Sequence, residues 1–306
     1  MSVPALREVR SNLWTFQSRG APYLFVLPFC ALFCVFMLYP LARSVSLSLH
    51  RTIGPRHEVF VGLANYRFLL GDPYFWLSVA NTVAFAGAFL AIQVPLSLGL
   101  ALLLNHESIR MRNMLRFAFF STSLVGQAFV AVMFSQILAT RGGLLNQLLE
   151  KLSGREVEIR WLSDPPLALV SVLIAALWLS VGYAMVYFLA ALQAVDRELY
   201  EQAQVDGAGR FGRFWHVTLP SIRPVLAFVV VVGTIFSLQL FELPYVLFQQ
   251  EYGPNHRAMT VVMYLFLTGF RLGDLGYASA IGWALAMMIM LLTLAQARLT
   301  RATRDI

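Results

Sequence analysis

The sequence is short of charge. Only 13% of its 306 residues are Asp, Glu, Lys or Arg, against about a quarter in soluble domains. With 58% hydrophobic residues and a mean hydropathy of +0.68, its apolar surface exceeds what one core of this size can cover. The solvent for that surface is lipid. Lysine is nearly absent: Lys151, between Glu150 and Leu152, is the only one. A phosphate-binding loop needs Gly-Lys followed by Ser or Thr, so the chain has no ATP site of that type. Cysteine is limited to Cys30 and Cys34, one helical turn apart in an apolar run. That spacing offers no disulfide framework and no metal site, and it reads as packing. Hydrolase and metalloenzyme patterns are missing: there is no H-E-x-x-H and no G-x-S-x-G. The histidines His50, His57, His106, His216 and His256 all fall in or beside loops. Enzymatic chemistry therefore has little support.

What is present is a series of long apolar runs. Six are long enough to span a bilayer, which takes about 20 helical residues. They are Tyr23–Leu49, Leu77–Leu104, Phe117–Leu138, Leu167–Leu192, Val225–Phe248 and Tyr277–Leu294. The expected architecture is an all-α membrane protein of six transmembrane helices. The net charge of +7 is carried almost wholly by arginines scattered over the loops, which suits membrane orientation and not nucleic acid. With the amino terminus inside, the inside segments hold thirteen arginines and the outside loops nine Arg or Lys. Both termini are then cytoplasmic. Residues 1–22 form a cytoplasmic segment carrying Arg7, Arg10 and Arg19. Residues 23–306 form the transmembrane domain. The first apolar run is longer than a signal-peptide core and lacks a small-residue cleavage site, so it reads as an uncleaved helix.

The outside segments have content. Residues 51–76 hold a short amphipathic stretch rich in aromatics. Residues 139–166 contain RGGLLNQLLEKL and then WLSDPP, a turn that launches the fourth span. The apolar run after Gly253-Pro254 is too short to span and reads as an interfacial helix. Pro28, Pro40, Pro95 and Pro244 fall inside helices, where each removes a hydrogen bond and favours a kink. Ala278, Gly282 and Ala286 make a small-residue stripe suited to close helix packing.

Polar groups inside spans are costly and are functional candidates. Glu242 is the only acid deep in an expected span. Gln239 precedes it by one turn and Tyr245 follows three later, so the three share a face that can line a wet passage. The alternative puts Glu242 near the helix end, reaching water or an arginine. Asn81 and Gln93 in the second span are similar candidates, although Asn81 also suits a helix cap. Gln127 and Gln136 fit interhelical hydrogen bonds as well as substrate contacts. Trp178, Tyr183 and Tyr187 can stack on a sugar ring or simply pack.

The longest polar stretch between two apolar runs is 197–224, RELYEQAQVDGAGRFGRFWHVTLPSIRP. It far exceeds a turn. Leu199 to Asp206 has helical character, with Gly207 as its terminator. A second short piece, Phe211 to Val217, is expected to stop or restart at Pro220. If transport is driven by ATP, the energy must enter through such a cytoplasmic surface.

The order Glu201, Gln202, Ala203, three residues, Gly207, nine residues, Val217, Thr218, Leu219, Pro220 resembles the EAA loop of ABC importer permeases. That loop reads E-A-A, three residues, G, nine residues, I-x-L-P. Gln202 replaces an alanine and Val217 an isoleucine. GLANYRFLLGDPYFWLSVANT, VPLSLGLALLLN, WLSDPPLALVSVLIAALW and SLQLFELPYVLF are similar to carbohydrate-importer permeases of the MalF type. Departures are Asp196 in place of a usual proline and a missing proline around Phe120–Ser123.

The resemblance implies an ABC type I importer (MetI-like) permease fold in the bacterial cytoplasmic membrane. It implies a second permease subunit, homologous but different, two ATP-binding subunits that hold ATP and Mg, and an extracytoplasmic solute-binding protein. No cofactor is expected in this chain. Glu201, Ala203, Asp206, Gly207, Leu219 and Pro220 would couple to the ATPase. Gln239, Glu242, Tyr245, Asn81 and Gln93 would line the substrate pathway. The expected function is carbohydrate import by alternating access. Import of a phosphorylated polyol or another small polar solute, or ion-coupled transport through Glu242, stays open as an alternative.

Overall fold

A computed structural model describes residues 22–53, 57–106, 109–249 and 251–302. Among the described residues, five helices are long and apolar enough to cross a membrane unbroken: α1 (Pro22–Ser48), α3 (Pro73–Asn105), α7 (Pro165–Gln193), α9 (Arg210–Leu238) and α12 (Leu275–Ala302). The remaining apolar run is bent. Its halves, α4 (Arg112–Leu124) and α5 (Gln127–Ile137), meet at 103°. Shorter elements are β1 (His50–Ile53), β2 (His57–Phe60), α2 (Ala64–Gly71), α6 (Leu144–Ser153), α8 (Arg197–Val205), α10 (Glu242–Leu247) and α11 (Val261–Arg271). The two strands pair antiparallel, His50 opposite Phe60, so a hairpin precedes the amphipathic stretch of the 51–76 segment. Following the chain, the hairpin and α2, α6, α10 and α11 gather at one end of the bundle. The α8 segment lies at the opposite end.

Helices α3 and α7 form the spine. Ala168, Ala175, Ala176 and Ala184 of α7 are buried against Phe85, Phe89, Leu98 and Ala101 of α3. Small side chains let the backbones approach closely without a hydrophobic driving force between helices. At Gly182 the approach is closest: a β-carbon there would lie 1.8 Å from the Phe119 carbonyl oxygen of α4.

Both broken spans have local causes. In the third, Ser121, Thr122 and Ser123 donate their hydroxyls to the carbonyls of Ala118, Phe119 and Phe120 at 2.9, 2.8 and 2.6 Å. Such back-bonding competes with the helix ladder. A 3₁₀ turn follows over Thr122–Leu124, and then Val125 and Gly126 are extended. The expected helix Phe117–Leu138 is thus two, and the break forms without a proline. The expected fifth span, Val225–Phe248, also divides. Pro244 would drive its ring into the carbonyl four residues back. That carbonyl belongs to Leu240, where the chain leaves the helix, and it accepts instead from the Thr260 hydroxyl at 2.7 Å. Pro244 sits in the first turn of α10, where its missing N–H is no loss.

Two other prolines share one device. Immediately before Pro40 and Pro220 the helix widens to π-turns, Cys34–Leu38 and Phe214–Thr218. The amide before each proline reaches five residues back, Tyr39 to Cys34 and Leu219 to Phe214. The helix therefore runs on through Pro220 instead of stopping there, and α9 is continuous from Arg210.

Other expectations are corrected by packing. Helix α11 does not lie on the surface: Val261, Met263, Leu267 and Thr268 are buried. Gly282 and Ala278 of α12 pack on it, whereas Ala286 is exposed. Cys30 and Cys34 are exposed on α1, whose apolar face has no partner among the described residues over that stretch.

Candidate coupling surface and transport pathway

Helix α8 is closed at both ends by its own residues. The Asp196 carboxylate accepts from the Glu198 amide at 3.1 Å, capping the start. At the other end Gly207 takes φ +80°. The Ala208 amide reaches the Ala203 carbonyl at 2.9 Å and the Gly207 amide reaches Gln204 at 3.1 Å. This is a Schellman closure, which needs a left-handed residue at its turn. The expected terminator is where the spacing placed it. Tyr200 and Thr218 share a hydroxyl hydrogen bond of 3.1 Å that ties α8 to the π-turn of α9. Glu201, Asp206, Gly207 and Pro220 are exposed, and Ala203 and Leu219 are half-buried. Around them Leu199, Val205, Phe211 and Trp215 are also exposed, Val205 at 88%. The knob presents a mixed apolar and acidic face at the end of a rigid rod.

The third-span break borders a half-open cavity of ≈ 590 Å³. Phe89 and Gln93 of α3, Ser123, Gly126 and Gln127 at the break, Ser180 and Tyr183 of α7, and Gly233 and Phe236 of α9 line it. No charged side chain is among its lining residues. Gln93 is 4% exposed, and its Oε1 lacks a hydrogen-bond partner, as does the Ser180 Oγ. Buried polar atoms are nearly always paired, so two orphans beside one cavity mark a place for a polar guest. Gly233 leaves room for this: a β-carbon there would sit 3.2 Å from Gln93 Oε1. Tyr183 and Tyr187 bond through their hydroxyls at 2.9 Å.

Of the expected pathway residues, the structure brings Gln93 to this cavity. Gln239 and Glu242 are exposed at the fifth-span break, on different helical segments, so the shared face expected for them does not form. Tyr245 stacks on Phe241 with ring centroids 5.0 Å apart. Asn81 is 3% exposed and donates to the carbonyls of His256 and Met259 at 2.8 and 3.1 Å. It is not a cap, because α3 begins at Pro73 with Asp72 in that role.

Sequence reasoning missed Asp72. The residue is 5% exposed. It accepts from the Tyr74 amide at 2.9 Å and the Tyr277 hydroxyl at 2.5 Å, and it also accepts from the Tyr264 hydroxyl. Burial and the Asp72 carboxylate raise the Tyr264 phenol above its ordinary value. An Asp-Pro dipeptide is a local signal for a helix start, but nothing local points to two tyrosines some two hundred residues away. Among the described residues, no three His, Cys, Asp or Glu side chains gather as a metal site.

Broken spans around a largely apolar cavity with two orphaned polar atoms, and a capped exposed helix at one end, suit a helical membrane permease. The chain belongs to the family described as binding-protein-dependent transport system inner membrane component, which matches residues 18–304. It is 33% identical over 286 residues to the arabinooligosaccharides transport system permease protein AraP of Bacillus subtilis, covering 93% of this chain and 90% of that protein. It is 34% identical over 275 residues to the lactose transport system permease protein LacF of Rhizobium radiobacter, covering 90% and 92%. The fold matches a chain of a bacterial alginate ABC transporter solved with an alginate pentasaccharide-bound periplasmic protein, with a TM-score of 0.82. That match has 23% identity and covers 95% of this chain and 98% of that one. The expected type I importer permease fold is the fold observed, and members of the family are transport permeases, not enzymes.

Proposed function

We propose that the chain forms half of the pathway of a carbohydrate ABC importer in a bacterial cytoplasmic membrane. The observation that carries the reading is the cavity at the third-span break. It offers orphaned amide and hydroxyl oxygens, aromatic walls and no charge, which suits the hydroxyls and apolar ring faces of an uncharged sugar. A phosphorylated solute would call for a cation there. The sugar-permease names of relatives matched over some nine-tenths of the chain support the same substrate class.

In this reading the α8 end is cytoplasmic, as are both termini, and the hairpin end is extracytoplasmic. The domain division is a short cytoplasmic segment, 1–22, and the permease body, 23–306, with the coupling loop at 197–224. A second, homologous permease completes the pathway. Two ATPase subunits bind ATP and Mg and seat α8 through Glu201, Ala203, Asp206 and Gly207, with Leu219 and Pro220 at the root of the knob. A solute-binding protein delivers sugar at the hairpin end. Gln93 contacts sugar, while Gln239, Glu242 and Tyr245 face the pathway after assembly. Asn81 supports the pathway by fixing the 256–259 segment.

Uptake of labelled oligosaccharides by the reconstituted complex tests the reading. Gln93→Leu should lower uptake by about tenfold, the weight of one hydrogen bond to a buried polar partner, with membrane insertion retained. Glu201→Lys and Gly207→Pro should abolish uptake while the chain stays in the membrane. Normal uptake in both coupling variants would remove the docking assignment.

A further inference from the structure

Three apolar segments remote in sequence meet at the Asp72 carboxylate. Helix α3 starts there, and α11 and α12 each send it a tyrosine hydroxyl. A buried carboxylate is tolerated only when its oxygens are hydrogen-bonded, so each donor has a defined place. One turn before Tyr264, Thr260 caps α11 and donates to the Leu240 carbonyl freed by Pro244. That carbonyl lies between Gln239 and Glu242. The start of α11 is also held to α3, where the Val261 amide donates to the Thr82 hydroxyl at 3.0 Å. Helix α11 is therefore a short strut. Its first turn carries both anchors: Tyr264 is tied to Asp72, and Thr260, one turn earlier, is tied to the break in the fifth span. It cannot slide without giving up one of these bonds.

We infer that Asp72 is a positioning residue for transport: through Tyr264, α11 and Thr260 it sets the conformation of the fifth-span break. This role rests on the importer reading for its link to transport, but not for its structural link. Tyr277 donates to the same Asp72 oxygen, which gives a built-in control. Tyr264→Phe and Tyr277→Phe each delete one donor to one oxygen and keep the ring. Only the first lies on the strut that leads to Leu240.

Two measurements test it. In the full chain in nanodiscs, backbone hydrogen exchange is followed at residues 239–242. Tyr264→Phe and Thr260→Val should both raise it, and Tyr277→Phe should not. Equal exchange in the two tyrosine variants, or no change in any, overturns the strut. In the complex with ATPase subunits and binding protein, Tyr264→Phe should cut binding-protein-stimulated hydrolysis by about fivefold, a typical size for one coupling residue. Basal hydrolysis should stay within about twofold. Thr260→Val added to Tyr264→Phe should have little further effect, because both interrupt one connection. Parallel loss of basal and stimulated rates, or additive losses, would assign Asp72 to fold stability alone and overturn the positioning role. If the wild-type complex is not stimulated by any sugar-loaded binding protein, the importer reading fails and takes the transport role with it. The exchange result still decides the strut.

Discussion

At Gly182 the carbonyl of Phe119 occupies the space that a β-carbon would take. Gly182→Ala therefore requires a backbone shift at the contact between α4 and α7. The expected cost is about 1–3 kcal/mol, as for other overpacked sites. It should appear as a lower melting temperature of the purified chain in detergent, and an unchanged melt would mean that α4 is free to move away. Tyr264 offers a second test at this scale. Its phenol is raised by burial first and by Asp72 second. Because the folded pKa exceeds the unfolded one, near 10, the neutral phenol is the form the fold favours. Its contribution is complete below that value and is lost as pH rises through the folded pKa. Absorbance titration near 295 nm should show one late-titrating phenol fewer in Tyr264→Phe than in the wild type. Single residues were unevenly legible. Gly207 could be read because a helix terminator is a local property. Asn81, Asp72 and Glu242 could not, because the partners of the first two lie far along the chain and the third depends on where a helix breaks.

The elements show how prolines are absorbed. Pro40 and Pro220 each follow a π-turn, while Pro244 divides a span. Helical periodicity marks the apolar runs but not these outcomes. A span and a broken span have the same composition, and the difference lies in which carbonyls find another donor. Thr260 and the three hydroxyls at Ser121–Ser123 supply such alternatives. Pro220→Ala would permit the ordinary amide bond from position 220 to His216 and remove the reason for the π-turn. Loss of that extra residue per turn rotates α8 by about 100° relative to the membrane part of α9. Spin-label distances between Phe211 and the bundle should change accordingly, and uptake should fall. Unchanged distances would show that the tie between Tyr200 and Thr218 holds the π-turn without the proline.

For the whole molecule, the number of apolar runs and the polar knob were legible as membrane architecture. The hairpin and the buried strut α11 were not, since both are defined by tertiary contacts. The unburied face of α1 is a property of the whole body, because it is what remains after every other element has packed. A nitroxide on Cys34 of the isolated chain in liposomes should be accessible to oxygen and shielded from an aqueous nickel complex. Equal exposure to both would place that turn of α1 outside the lipid.

Helix α8 is capped by Asp196, closed by Gly207 and Ala208, and buries none of its residues. Its shape is thus written almost entirely in its own short stretch of sequence. Such a piece is exchangeable, like a key bit brazed to a shaft. Replacing residues 196–208 by the matching stretch of another permease should leave the membrane body folded and change which ATPase copurifies with it. Specificity for the motor would then be free to diverge independently of specificity for the cargo.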